Sequence, residues 1–174
     1  MNNIYLTGMM GSGKSAVAKL LTERLKRTIV DVDALIVQHE GKSINDIFSK
    51  NGETYFRDIE KKILEKVVEQ KNSIVATGGG IILAKENRDR MKHDGVVVYL
   101  KTSVDTLCKR LTRAKDRPLL QGQSLQKKID DLLKQRSKFY EEADYTIDTT
   151  DKTPQKVVEK IVALLANKEE VKDR

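Results

Sequence analysis

Residues 8–15 read GMMGSGKS and match the pattern G-x-x-x-x-G-K-[ST]. They follow the short apolar run 4–7, and the residues behind them, 15–26, have the apolar spacing of a helix. In this context the glycine-rich backbone surrounds phosphates, Lys14 reaches the β and γ phosphates, and the Ser15 hydroxyl ligates Mg²⁺. Usual glycine usage puts a chance match on the order of one in a hundred. The stretch therefore predicts a P-loop that binds a nucleoside triphosphate. The residues predicted to contact the nucleotide here are Gly11, Ser12, Gly13, Lys14, Ser15 and Ala16.

Length and composition fit one soluble domain. The chain has 174 residues, enough for a hydrophobic core without a metal or disulfide staple, and its single cysteine, Cys108, suits a reducing cytosol. The first predicted strand begins almost at residue 1, and no apolar stretch approaches the length of a membrane span. We therefore expect a cytoplasmic protein with no signal peptide and no membrane partner.

The charge of the chain indicates anionic ligands. The formal net charge is +7, but aromatic residues make up only 5% and no basic helix or tail stands alone. Small anions explain this charge as well as a nucleic acid does, so we expect no nucleic-acid partner. The densest basic cluster, within 109–117, is predicted to belong to a mobile lid; the alternative is a solvated helix face.

Apolar, β-rich runs alternate with helical runs, which predicts an α/β fold with a parallel sheet. In such sheets ligands bind at the carboxyl ends of the strands. The mixed-charge tail 167–174 is predicted to fray. The predicted strands are 4–7, 28–31, 73–77, 96–100 and 145–148, and the predicted last helix is 153–166.

Two carboxylates, Asp31 and Asp33, come at the end of the second predicted strand. The third predicted strand ends in Thr77 and Gly78 without an acid, so Asp31 is the expected outer ligand of a metal ion that Ser15 contacts. Strand alternation predicts that Asp31 and Asp33 lie on one side of the pleat. Asp33 is then expected to orient an acceptor hydroxyl or accept its proton; alternatively it is the N-cap of the next helix.

A long helical insertion separates the second and third strands, with predicted helices at 33–40, 43–51 and 52–70. Phe48, Tyr55 and Phe56 concentrate there beside Arg57, which is typical of a substrate pocket. The alternative is that Phe56 belongs to an apolar core stripe and that Arg57 pairs with Glu60 on the surface. The glycine triplet at 78–80 that follows the third strand fits either a cradle for substrate oxygens or a tight turn.

Several groups of residues together form a highly specific pattern. They are GMMGSGKS at 8–15, Asp31-Val32-Asp33, Ile47-Phe48 with GETYFR at 52–57 and Glu60, ATGGG at 76–80, RPLL at 117–120 and RSKFY at 136–140. With these groups the chain resembles the shikimate kinases over essentially its full length. Departures are Ile29 in place of an aromatic residue, Val37 in place of a glutamate, and Met10 in the loop.

The resemblance implies a single P-loop kinase domain over 1–174. Its expected form is a three-layer α/β/α fold of the nucleoside monophosphate kinase type, with a five-stranded parallel sheet, a substrate-binding insertion at 33–61 and a lid at 112–124. It also implies a monomer that uses ATP, shikimate and one Mg²⁺ ion. The metal ligands are expected to be Ser15 and Asp31.

The resemblance also assigns roles to individual residues. Arg57 and Arg136 bind the substrate carboxylate. Asp33 and the backbone at Gly79 and Gly80 contact the ring hydroxyls of the substrate. Arg117 in the lid closes over the triphosphate. Arg110 and the stretch 153–155 are near the adenine-binding positions. The residues expected to act in catalysis are Lys14, Asp33 and Arg117.

The implied reaction is in-line transfer of the γ-phosphoryl group of MgATP to the 3-hydroxyl of shikimate. Whether Asp33 acts as a true base stays open at this point. A nucleoside monophosphate kinase would have a different residue set in the insertion, and a GTPase-type switch would have D-x-x-G and N/T-K-x-D patterns, which do not occur. An RNA-binding role is favoured only by the net charge.

Overall fold

A computed structural model describes residues 2–113 and 124–172 of the chain. In this part of the chain five strands form one parallel sheet in the order β2-β3-β1-β4-β5. The strands are β1 (Asn3–Thr7), β2 (Thr28–Asp31), β3 (Ser73–Ala76), β4 (Gly95–Lys101) and β5 (Tyr145–Asp148).

Helices connect the strands, as parallel pairing requires. A short 3₁₀ helix, Ile81–Leu83, follows the glycine triplet. The helices are α1 (Lys14–Leu25), α2 (Val32–Glu40), α3 (Ile44–Glu69), α4 (Lys85–Asp94), α5 (Val104–Arg113), α6 (Ser124–Tyr140) and α7 (Pro154–Lys172).

The two faces of the sheet are both covered, which gives the predicted three layers. In β1, Tyr5 packs into a core with residues of α2, α3, α4, α5 and α6. Its neighbours Ile4 and Leu6 pack into a second core with residues of α1 and α7. Successive side chains of a strand point to opposite faces, so a strand buried on both faces is a continuous apolar run.

The order of the strands places the P-loop at the centre of the sheet. β1 lies between β3 and β4, and its Leu6 is aligned with Ala76 of β3. The Thr77 backbone N–H donates to the Leu6 carbonyl at 3.2 Å, just past the end of β3. The loop after β1 and the glycine triplet after β3 therefore lie side by side at the carboxyl edge.

The largest differences from the predicted helix bounds are at Gly52 and at the last helix. The predicted boundary at Gly52 is present as a break inside α3, where Gly52 has φ 82° and ψ 172°. The last helix continues past Ala166 to Lys172, into the predicted tail. Residues 167–172 contain no glycine or proline and are mostly lysine and glutamate, which favour helix. Among the described residues, no helix is both long and apolar enough to cross a bilayer.

Candidate active site

The P-loop has the backbone of an anion cradle. Gly11 and Gly13 have φ of 81° and 98°, which is the left-handed region that favours glycine. Gly13 is the residue before α1, so the N-terminus of that helix faces the loop. The Lys14 ammonium folds over the loop and donates to the Gly8 and Met9 carbonyls at 2.8 and 3.0 Å. The glycine conformations and the Lys14 hydrogen bonds thus set the shape of the loop.

Asp31 connects the end of β2 to both the P-loop and α2. One carboxylate oxygen accepts from the Ser15 hydroxyl at 3.3 Å, and the other accepts from the Ala34 backbone N–H at 3.1 Å. Asp31 is therefore the N-cap of α2, and the alternative role predicted for Asp33 belongs to Asp31. The prediction from strand alternation is wrong in its geometry, because β2 ends at Asp31 and Asp33 lies in the first turn of α2.

One cleft brings most of the predicted P-loop contacts together with two of the predicted substrate residues, Asp33 and Gly79, while Arg57, Gly80, Arg110 and Arg136 are not among the residues that line it. It has a volume of about 230 Å³ and lies at the carboxyl edge of the sheet. Asp33 lines the cleft from the first turn of α2 and not from a strand. The residues that line the cleft are Met10, Gly11, Gly13, Lys14, Ser15, Ala16, Asp31, Asp33, Thr77 and Gly79. Ser12 is buried at its edge, with 1% of its surface exposed.

Arg57 lies directly against the glycine triplet. A Cβ atom at Gly80 would lie 2.5 Å from both Cζ and Nη1 of Arg57, so only glycine leaves room for the guanidinium. Arg57 donates to Glu60 at 2.6 Å and to Glu53 at 3.1 Å. Burial lowers the pKa of the guanidinium, but the Glu60 and Glu53 carboxylates together raise it by more, so Arg57 stays cationic.

Glu60 is a functional candidate to which the sequence analysis assigned no functional role, although it belongs to the family pattern. It is fully buried, and one of its oxygens has no hydrogen-bond partner among the described residues. A Cβ atom at Gly78 would lie 2.7 Å from that oxygen and 2.8 Å from a carboxylate oxygen of Asp33, so both carboxylates lie close to Gly78. Burial raises the pKa of Glu60, and the adjacent Arg57 lowers it by less. The i,i+3 spacing of Arg57 and Glu60 signals a pair, but it carries no information on burial.

The aromatic residues of the insertion divide between core and surface. Phe56 is buried in the core stripe of α3 together with Ile59, as one of the two interpretations predicts. Phe48 is exposed and contacts the Phe56 ring, with 4.6 Å between centroids. The hydroxyl of Tyr55 donates to Glu40 at 2.9 Å.

Arg110 contacts the back of the P-loop. Its guanidinium donates to the Gly11 and Ser12 carbonyls, both at 3.3 Å, and to the Thr149 carbonyl at 3.1 Å. Arg136 lies on α6, partly buried, within electrostatic reach of Glu60. Arg117 lies outside the described residues, as does most of the predicted lid, 114–123.

The Ser15 hydroxyl and the Asp31 carboxylate are oxygen groups of the kind that binds Mg²⁺. Magnesium is usually bound by one or two protein oxygens together with substrate phosphates, rather than by a complete cage of side chains. The described residues contain no cluster of three or more His, Cys, Asp or Glu side chains able to hold a metal ion. A hydroxyl and a carboxylate beside a phosphate cradle match that preference.

Comparison with known proteins agrees with this geometry. The family model described as Shikimate kinase matches residues 10–166. This chain belongs to the shikimate kinase family. A shikimate kinase of Thermodesulfovibrio yellowstonii is 44% identical over 162 residues, which is 93% of this chain and 94% of that protein. The predicted fold and the predicted enzyme class, a kinase of the shikimate pathway and aromatic amino acid biosynthesis, are confirmed by this membership.

Solved shikimate kinases have the same fold. The Acinetobacter baumannii enzyme, solved in complex with shikimate, superimposes with a TM-score of 0.91 and is 41% identical; the match covers 97% of this chain and 94% of that one. The Aquifex aeolicus enzyme superimposes with a TM-score of 0.81 at 35% identity, over 96% and 98% of the two chains.

Proposed function

We propose that the cleft at the carboxyl edge of the sheet holds MgATP and shikimate together, and that the γ-phosphoryl group passes to the 3-hydroxyl of shikimate. The products are shikimate 3-phosphate and ADP. The observation that carries this proposal is the lining of the cleft, where Lys14 and Ser15 of the P-loop share one space with Asp33 and Gly79. An in-line transfer needs the donor and the acceptor in one such space.

The nucleotide end of the cleft is proposed to neutralise phosphate charge. Lys14 would turn from the loop carbonyls to the β and γ phosphates, while the helix N-terminus of α1 faces them. Ser15, with Asp31 behind it, would hold Mg²⁺, which when bound draws negative charge from the phosphate oxygens. Arg117 is proposed from the family resemblance to add positive charge at the transferred group.

The substrate end is proposed to recognise a hydroxylated ring with one carboxylate. Arg57, held by the buried Glu60, presents a fixed guanidinium, and the planar fork of arginine matches a carboxylate. Arg136 would supply the second guanidinium. Asp33 would orient the 3-hydroxyl and accept its proton, with backbone of Gly79 and Gly80 beside the ring. The proposal includes a monomer that works in the cytoplasm.

The variant Asp33→Asn tests the role at the acceptor hydroxyl. Loss of a positioned base typically costs about 10²–10⁴-fold in rate, so turnover with shikimate should fall by that factor. The dissociation constant of MgATP, measured by calorimetry, should stay close to the wild-type value. Asp58→Asn removes an exposed carboxylate from α3 and is the matched control, with wild-type turnover expected. Equal loss of MgATP affinity, or full turnover in Asp33→Asn, would contradict the proposed role.

A further inference from the structure

The glycine triplet is held in place by a tyrosine from a distant part of the chain. The Tyr140 hydroxyl, at the end of α6, donates a hydrogen bond to the Gly79 carbonyl. The Tyr140 side chain is buried, with 1% of its surface exposed. Its ring stacks on that of Tyr99 in β4, with 4.8 Å between centroids and 7° between planes. The sheet therefore fixes the position from which the hydroxyl reaches the glycine.

The same hydroxyl is within electrostatic reach of the arginine predicted to bind substrate. Arg136 precedes Tyr140 by one turn of α6, and its guanidinium interacts with the phenol. Burial raises the pKa of Tyr140 above its ordinary value, and Arg136 opposes this by a smaller amount. The phenol is thus protonated at neutral pH and is a permanent donor to Gly79.

Three consecutive glycines need such an external contact. Without Cβ atoms, the peptide between Gly79 and Gly80 can rotate at little cost. That peptide is planar and trans, so a fixed Gly79 carbonyl also fixes the direction of the Gly80 N–H. The chain after the triplet is held in a similar way, because Asn87 donates to the Ile81 carbonyl at 3.1 Å and Arg88 donates to the Ile82 carbonyl at 2.8 Å.

The end of α6 and the glycine triplet form one packed unit. The Arg88 guanidinium that holds the Ile82 carbonyl also lies over the Phe139 ring, 4.5 Å from its centroid. Its Nε donates to Glu142 at 2.9 Å. Two consecutive residues of α6, Phe139 and Tyr140, therefore contact the triplet or the helix that supports it.

We infer that Tyr140 is a positioning residue for substrate: its hydroxyl fixes the peptide that presents the Gly80 N–H. This inference rests on the proposed function, since it assigns Tyr140 to the substrate end of the same cleft. Tyr140 would then act through Gly79 and not on the transferred phosphoryl group.

Tyr140→Phe tests the inference because it keeps the stacked ring and removes only the hydroxyl. The loss of this one hydrogen bond should raise KM for shikimate about tenfold, equivalent to about 1.4 kcal/mol. KM for MgATP should stay close to wild type, and the thermal midpoint should fall by only about 2–4 °C, because one hydrogen bond is lost from a chain of this size. Tyr99→Phe is the matched control, since it removes the other hydroxyl of the same stack. Its KM values should equal those of the wild type.

Two outcomes would overturn the inference. One is a wild-type KM for shikimate in Tyr140→Phe. The other is an increase of KM for shikimate that Tyr99→Phe shares, or one that comes with an equal increase of KM for MgATP and a fall in the thermal midpoint beyond that expected for one hydrogen bond. Either result would indicate that Tyr140 has a purely structural role. The wild type measured in the same series separates the two proposals. A wild type without shikimate-dependent turnover overturns the proposed function and this inference with it, whereas an active wild type with an unaltered Tyr140→Phe overturns the inference alone.

Discussion

Gly80→Ala is predicted to disable substrate binding without unfolding the chain. Gly80 has φ −103° and ψ −2°, a conformation that alanine adopts without strain. The added Cβ, however, would lie 2.5 Å from Cζ and Nη1 of Arg57. Ordinary contact between such atoms requires about 3.5 Å, so the guanidinium must retreat by about 1 Å. The guanidinium is the far end of a flexible side chain, so it can move while the fold is kept, although its ion pair with the buried Glu60 is weakened.

The loss of activity follows from that displacement. A misplacement of about 1 Å can cost about 100-fold, or about 2.7 kcal/mol of transition-state stabilisation. We expect kcat/KM for shikimate to fall by this factor in Gly80→Ala, with KM for MgATP unchanged. Steady-state assays of ADP release at varied shikimate and varied MgATP measure both quantities.

A double-variant cycle shows whether Arg57 carries the effect. If Gly80→Ala acts only by displacing Arg57, the double variant Gly80→Ala/Arg57→Ala should be no worse than Arg57→Ala alone. Additive losses would refute this reasoning, because they would require a second target of the Cβ atom. Wild-type kcat/KM in Gly80→Ala would refute it as well, since the close approach of the guanidinium would then have no role.

Two further predictions concern the carboxylates. Asp31→Asn keeps an oxygen that can cap α2 at the Ala34 N–H but removes the charge behind Ser15. In a Mg²⁺ titration of activity, the half-saturating Mg²⁺ concentration should rise about 10–100-fold while the thermal midpoint stays unchanged. An unaltered Mg²⁺ requirement would exclude the metal role of Asp31. For Glu60, burial raises the pKa in the folded chain and Arg57 lowers it by less, so the folded state holds this proton more tightly than the unfolded state. The stability from Glu60 is then fully present below about 4.3, the pKa of an unfolded glutamate, and is lost as the pH rises through the folded-state pKa. In urea titrations, the free energy of unfolding of wild type minus that of Glu60→Gln should increase from neutral pH toward about 4.3; a constant or decreasing difference would disagree with this assignment.

The sheet could be predicted from the sequence because its strands are buried. The predicted bounds of β2 and β5 are those of the structure, and the other strands differ by one residue at one or both ends. In a parallel sheet covered on both faces a strand is a short, continuous apolar run between loop residues, which is visible without any knowledge of partners. The P-loop was equally predictable, since its motif fixes both the positions of the glycines and the position of the lysine that contacts the phosphates.

The parts that the sequence left open depend on three-dimensional contacts. Whether Arg57 pairs on the surface or beside a substrate depends on the burial of Glu60, which spacing does not reveal. The capping of α2 by Asp31 instead of Asp33 depends on where β2 ends, and helix and strand boundaries are poorly determined by local pattern. The contact of Tyr140 with Gly79 joins residues 61 positions apart.

The most direct test of the account is the acceptor specificity of the wild-type chain. A coupled assay of ADP release with MgATP should compare shikimate with quinate, gluconate and AMP at equal concentration. The account predicts turnover with shikimate and its loss in Arg57→Ala. ADP release with gluconate or AMP, and none with shikimate, would keep the P-loop fold and contradict the proposed chemistry of the cleft.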